Sequence, residues 1–337
     1  MQENLIKEYN QIKRTFAQNF KTTFLPIAQK YEKLRKILAS ILLALYLACA
    51  IILCYTTFSG TVNNITTQVT RKNNKIARIE SEGSVEFKGS DSCIDFRIFL
   101  IPFIIQLIIN FYANYKIKKE IMPSVCKCIG DLYWSQGEYN NKDILSSAKL
   151  IPDNWNRSNF DDVISGQYKD VAIEIVEATY ARKKGSGKRS STTTYFSGAF
   201  IVLNMNKNFK GHTIIRPDKL LKNSPSHELK LTTLEDVTFE KKYDVFTDDE
   251  IEARYLITTS FMNRLNELNI AFKAKETSCA FYKGNLIIAF NETKDLFKVF
   301  SLFKKADDVK LYTQMFEEFL SIVKIIDHFK LNEKIGL

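Results

Sequence analysis

The chain of 337 residues is poor in the side chains that carry most enzyme chemistry. Its three histidines, His212, His227 and His328, are scattered along the chain, and no matching His or Cys cluster accompanies them. The six cysteines are equally dispersed. Cys49 and Cys54 sit in an apolar run, Cys93 stands alone in a polar connector, and Cys126, Cys128 and Cys279 follow later. One residue separates Cys126 from Cys128, too few for a zinc knuckle, so neither a disulfide framework nor a structural zinc site is expected. Gly185-Ser-Gly-Lys188 invites a phosphate-loop reading, but Arg182 occupies the place of the required earlier glycine and Ser190 comes one residue late. Asp161-Asp162 and Asp248-Asp249-Glu250 adjoin turns or a helix N-terminus, where acids are favoured without any catalytic duty. No catalytic, cofactor-binding or metal-ligating residue is therefore assigned.

Charge is missing altogether from Ile37–Phe58. Those 22 residues would span about 33 Å as a helix, enough to cross the hydrocarbon of a bilayer. A second uncharged run, Ile98–Tyr115, follows a polar connector. A cleaved signal peptide would need a basic leader 36 residues long and a shorter apolar core, so an uncleaved two-helix anchor fits better. Basic residues are abundant on the outer flanks of this hairpin. Five Lys/Arg precede the first run within 20 residues, and Lys116, Lys118 and Lys119 follow the second. By the positive-inside rule both termini are cytoplasmic and residues 59–97 form an extracytoplasmic loop. The net charge is +10, but its densest excess, +5, lies in residues 1–58 beside the first run. That distribution reads as topology charge and argues against a nucleic-acid partner.

Within the second run, Gln106 and Asn110 are four apart and share a helix face. Amides in lipid seek partners, so these two are candidate helix–helix contacts with the first span or with a second copy of the chain. Neither span contains a carboxylate or histidine, which excludes an ordinary proton or ion transporter.

Residues 1–36 contain an amphipathic stripe, Leu5, Tyr9, Ile12, Phe16 and Phe20, with Lys7, Lys13, Arg14 and Lys21 on other positions. Two uses remain open for it: a helix lying on an anionic membrane surface, or a stripe packed on the soluble domain. Pro26 and Thr22-Thr23 are expected to interrupt it. Residues 116–337 read as a cytosolic α+β domain. A short helix is expected over Ile121–Tyr133, a turn-rich approach over Asp161–Asp170, and strands at Val171–Tyr180, Thr194–Asn206 and Gly211–Arg216 forming a meander. Thr247-Asp-Asp-Glu250 reads as a capping box opening a helix that breaks near Thr258-Thr259 and runs to Leu268. Cys279–Phe290 reads as a hairpin turning at Gly284-Asn285. The last stripe, Val309, Tyr312, Phe316, Phe319, Val323 and Ile326, has helical spacing and reads as core. Between the first two strands lies a Gly/Ser-rich basic loop carrying Arg182, Lys183, Lys184, Lys188 and Arg189, the candidate membrane-surface contacts.

Several stretches resemble one family. These are Phe24-Leu-Pro-Ile, Phe196-Ser-Gly-Ala-Phe200 with Asn208-Phe-Lys-Gly211, Leu234-Glu-Asp through Phe239-Glu, and above all Tyr243-Asp-Val-Phe-Thr-Asp-Asp-Glu-Ile-Glu-Ala-Arg-Tyr-Leu256 followed by Thr-Thr-Ser-Phe-Met262. From Phe24 to Phe297 the chain resembles the bacterial DUF3137 membrane proteins, a group without an assigned biochemical role. The resemblance implies a two-span anchor in the bacterial inner membrane, an α+β cytoplasmic domain and no catalytic residues. The expected function is a non-enzymatic interaction module that binds a protein partner or the membrane surface. The competing expectation is a membrane-anchored enzyme acting on a lipid or nucleotide, which would need Asp161, Asp248 and Arg254 to converge in one cleft. The topology is checked with reporters: a fusion after Leu337 should behave as cytosolic and an insertion near Gly83 as external. Cytosolic behaviour of both would overturn the hairpin.

Overall fold

The computed structural model describes residues 2–78, 96–205, 209–218, 225–272, 276–291, 297 and 299–329. Cys93 and Gly83, both placed in the outer loop by the sequence, lie outside the described residues. The chain is α+β and divides into two compact units: residues 1–27, 117–299 and 308–337 form one, and residues 28–116 and 300–307 the other.

The second unit is built on the apolar runs. Helix α1 (Gln2–Asn19), which belongs to the first unit, passes through a π-helical turn, Phe20–Phe24, into α2 (Leu25–Arg78). The expected break around Pro26 is therefore a π-turn rather than a gap; Pro26 sits in the first turn of α2, where its missing N–H costs no bond. At 54 residues α2 is about 81 Å long and continues well past Phe58. Residues 59–78, expected as connector loop, are helical: one Gly60 costs only about 1 kcal/mol in a helix interior and does not end it. The second run enters a 3-10 turn, Phe96–Phe99, and continues as α3 (Leu100–Lys127), with Pro123 inside it. The separate helix expected over Ile121–Tyr133 is thus the end of α3, and Tyr133 belongs to a strand. Both runs are long and apolar enough to cross a membrane, and their large apolar side chains point outward. Ile51 and Phe58 of α2 and Phe111 of α3 are each about 70% exposed (69%, 69% and 73%).

The first unit holds a nine-stranded, wholly antiparallel sheet in the order β1-β2-β3-β4-β9-β8-β5-β7-β6. Its strands are β1 (Asp131–Gln136), β2 (Arg157–Tyr168), β3 (Val171–Lys184), β4 (Ser191–Asn204), β5 (Thr213–Pro217), β6 (Lys230–Thr232), β7 (Tyr243–Thr247), β8 (Glu276–Tyr282) and β9 (Asn285–Asn291). The helices are α4 (Lys142–Ser147), α5 (Val237–Glu240), α6 (Glu250–Leu256), α7 (Thr259–Phe272) and α8 (Val309–Phe329). The expected meander of β3, β4 and β5 does not form: β9 takes the place beside β4, and β5 lies between β8 and β7, while β1 to β4 pair in chain order. β-Branched and aromatic residues select strands, but the choice of neighbour is made by packing. β2 also replaces the expected turns over residues 161–168, while Lys169 and Asp170, both at positive φ, do make a turn. Gly166 there serves a close approach, since a Cβ would stand 2.0 Å from the Asp131 carbonyl oxygen on β1.

Two further expectations shift by one or two residues. Asp249, not Thr247, caps α6, accepting from the Ile251 and Glu252 amides, while the Thr247 hydroxyl accepts from the Asp249 amide. The β8–β9 hairpin turns at Lys283-Gly284, both at positive φ, rather than at Gly284-Asn285.

The amphipathic stripe of α1 packs on α8. Phe16 stacks on Phe316 with ring centroids 4.0 Å apart, Phe20 lies 5.5 Å from Tyr312, and Tyr9 donates to Asp327. Lys169, in the β2–β3 turn, completes this end by bridging Glu8 at 2.7 Å and Asp327 at 2.9 Å. The α8 stripe is core as expected except at Val309, which is exposed.

The strongest electrostatic commitment in this unit is Lys118 of α3 with Asp162 of β2. Both side chains are fully buried and hydrogen-bonded, and the Trp134 indole donates to the same carboxylate at 2.8 Å. Removing one partner of a buried pair leaves an uncompensated charge. Lys118→Met is expected to cost about 3–5 kcal/mol, and Lys118→Met with Asp162→Leu much less, in urea unfolding of the full chain in detergent. Equal costs would show that the pair is not the source of the loss.

Candidate functional site

Two places present polar or basic groups in a way that packing alone does not require. One is the tip of the β3–β4 hairpin. The β2 pairing with β3 ends at Ala181 and the β9 pairing with β4 ends at Gly198, so residues 182–197 continue as a two-stranded ribbon past both ladders among the described residues. The expected loop is largely a strand ribbon: Arg182, Lys183 and Lys184 pair with Thr193, Thr192 and Ser191. Asn156 extends the pairing with its side chain, donating to the Lys183 carbonyl and accepting from the Lys183 amide. Gly185 makes the turn at φ +77, where a Cβ would meet the Arg189 carbonyl oxygen at 2.7 Å. Side chains alternate across a strand, so Arg182 and Lys184 share one face of the ribbon and Lys183 takes the other. Lys184 and Arg189 are exposed and Arg182 and Lys183 half-buried; the side chain of Lys188 is outside the described set. The candidate surface contacts are therefore gathered on one prong.

The second place is in the other unit, where residues 300–307 are held by the hairpin helices. The Asn110 side-chain oxygen accepts from the Leu302 amide at 2.9 Å, and Asn114 accepts from the Phe300 amide at 3.1 Å. Arg35 donates to the Leu302 carbonyl at 2.8 Å, and Glu32 accepts from the Ala306 amide at 2.9 Å. Glu32 and Arg35 also pair bidentately at 2.7 Å. Phe300, Leu302 and Ala306 are buried beneath this strap, while Phe303, Lys304 and Lys305 are exposed. Gln106 and Asn110 thus have different partners. Gln106 accepts from the Tyr46 hydroxyl of α2 at 3.2 Å, and Asn110 serves the strap. Nothing local in Phe300–Asp307 signals the strap, which sequence reasoning missed; the one available hint was Asn110 and Asn114 recurring at helical spacing.

The acidic residues singled out in the sequence have structural partners. Asp161 sits on β2, where it accepts from Gln136 at 2.7 Å, and Asp248 follows β7, where it accepts from the His212 amide at 2.7 Å. β2 and β7 are six positions apart in the strand order, and the two aspartates are held by different partners. Asp161, Asp162 and Glu177 do lie within 4.8 Å of one another, but Lys118 supplies the positive charge there by binding Asp162. Burial pushes the Asp162 carboxyl upward, against the pull of the Lys118 ammonium. A groove of about 310 Å³ between β6 and α5, lined by Asp218, Leu231, Val237, Glu240 and Asp244 among others, is open to solvent.

Glu32 titrates in the opposite direction. The Arg35 guanidinium hydrogen-bonded to it, helped by the Ala306 amide, holds its carboxyl down at about 2 against burial. An ordinary glutamate titrates near 4.5, so the strap's stabilisation is complete above that value and is lost as pH falls from about 4.5 towards about 2. Glu32→Ala should cost about 1–3 kcal/mol by leaving the buried Ala306 amide unpaired, and should speed hydrogen exchange at Ala306 and Leu302 at constant pH. Glu32→Gln should flatten the acid loss of thermal stability. An unchanged exchange rate in Glu32→Ala would refute the clamp.

No curated protein matches the chain. Among solved structures, the crystal structure of the mycobacterial trehalose monomycolate transport factor A, TtfA, aligns with 56% of this chain and 86% of its own at 10% identity. The TM-score is 0.31, and a likeness at that level carries no functional argument. Residues 194–331, from β4 beyond the end of α8, match the model of the family described as Protein of unknown function (DUF3137).

Proposed function

We propose that the chain is a membrane-anchored, non-enzymatic module of the bacterial cytoplasmic membrane, with both termini inside, whose soluble domain meets the anionic membrane surface through the β3–β4 prong. The observation that carries this reading is the prong itself. Arg182, Lys183, Lys184 and Arg189 crowd the tip of a ribbon that extends past the last paired residues of β2 and β9. Each such charge near an anionic leaflet contributes on the order of 1 kcal/mol of attraction, and the attraction decays over a Debye length of about 10 Å at 0.1 M salt. The anchor is supported by two apolar helices with outward-facing Ile, Leu and Phe and by the excess of basic residues on their outer flanks. A second reading, a protein partner, is favoured by Ile251 and Tyr255, one turn apart on α6 and 84% and 59% exposed.

A photo-crosslinking residue in place of the exposed Ser186 tests the two readings in the full chain embedded in anionic nanodiscs or native membranes. Lipid capture that falls several-fold at high salt, and in the variant with Arg182, Lys183, Lys184, Lys188 and Arg189 all changed to Ser, is the expected result. Lipid capture indifferent to both changes would refute the electrostatic contact, and capture of a protein from the prong in place of lipid would move the site to a protein interface.

A further inference from the structure

The strap places an aromatic side chain where nothing in the domain uses it. Phe300, Leu302 and Ala306 are 1%, 4% and 1% exposed, whereas Phe303 between them is 76% exposed and is followed by exposed Lys304 and Lys305. Its position along the hairpin is well defined. Both backbone polar groups of the preceding residue, Leu302, are held by hairpin side chains, the amide by Asn110 and the carbonyl by Arg35. A bridge between Ser301 and Lys304 closes the turn, so Phe303 projects from a fixed corner.

Arg35 lies two residues before the uncharged run that begins at Ile37, about 3 Å along the helix. Asn110 lies five residues before the second run ends at Tyr115. Phe303 therefore stands at the level where both runs give way to charge. The helix surface around that level is apolar and exposed: Ile37 is 58% exposed, Phe111 73% and Tyr112 58%, with the Lys116 ammonium 5.4 Å from the Tyr112 ring. An aromatic ring with lysines directly beyond it is the composition suited to the boundary between acyl chains and headgroups, where the ring escapes water and the ammonium groups meet phosphate.

We propose that Phe303, with Lys304 and Lys305, is a third membrane contact: the ring enters the outer part of the acyl region and the two lysines bind anionic headgroups. This rests on the reading of α2 and α3 as membrane-spanning. The strap would then fix the depth of the hairpin from outside the spans, through a segment nearly 190 residues distant in sequence from Asn110 and Asn114.

The test uses the full chain reconstituted in vesicles containing anionic lipid, with phospholipids brominated either near the glycerol or at mid-chain. Phe303→Trp and Phe111→Trp are each compared with the parent, whose Trp134 and Trp155 give the baseline. The added tryptophan of Phe303→Trp should be quenched by the shallow bromines, and less so when Lys304 and Lys305 are also changed to Ser. Phe111→Trp, on an exposed face within the second apolar run, should be quenched too. Quenching of Phe111→Trp without any quenching of Phe303→Trp would overturn the inference and leave the spanning helices in place. Quenching of neither would overturn both.

Discussion

The constraint on which the second unit depends is that a buried backbone amide or carbonyl must find a partner. Residues 300–307 have no strand ladder or helix of their own, so three of their amides and one carbonyl are satisfied by Asn114, Asn110, Glu32 and Arg35. Those four side chains are polar or charged residues at the margins of two apolar helices, where an unpaired group would be costly. The clamp explains why Asn110 and Asn114 stand in the second apolar run, and it sets the position of the exposed Phe303.

The first unit solves the same problem by different means. Its fully buried cation Lys118 is matched by Asp162, which Trp134 steadies. Such a pair is a weak source of stability, because desolvation offsets much of the attraction, but it penalises any packing that separates α3 from β2. The Glu8, Lys169, Tyr9 and Asp327 network does the equivalent for α1 and α8, with less burial and more solvent. Carboxylates here are thus committed to cations or backbone amides in several places.

Helical stripes and apolar runs were legible because they are local. Charge-free length marks α2 and α3, spacing of 3 and 4 marks α1 and α8, and β-branched content marks β3, β4, β8 and β9. Boundaries were less legible. Gly60 and Pro123 do not end their helices, since the cost of one glycine or a single lost bond is small beside the packing of a long helix. Arg182, Lys183 and Lys184 were visible as a basic cluster, but that they ride on a paired ribbon depends on Thr192 and Thr193 opposite them.

By itself the sequence determined where charge is absent, which of the longer segments are helical or extended, and where basic residues crowd. Those are properties of neighbouring residues, set by side-chain size, charge and periodicity. The tertiary structure decided the strand order that puts β9 beside β4, the capture of residues 300–307 by Arg35, Glu32, Asn110 and Asn114, and the burial of Lys118 against Asp162. Each joins groups from 44 to 274 residues apart or selects one strand partner among several of similar composition. Such choices are made by which assembly leaves the fewest buried polar groups unpaired, a condition that no local window of sequence contains.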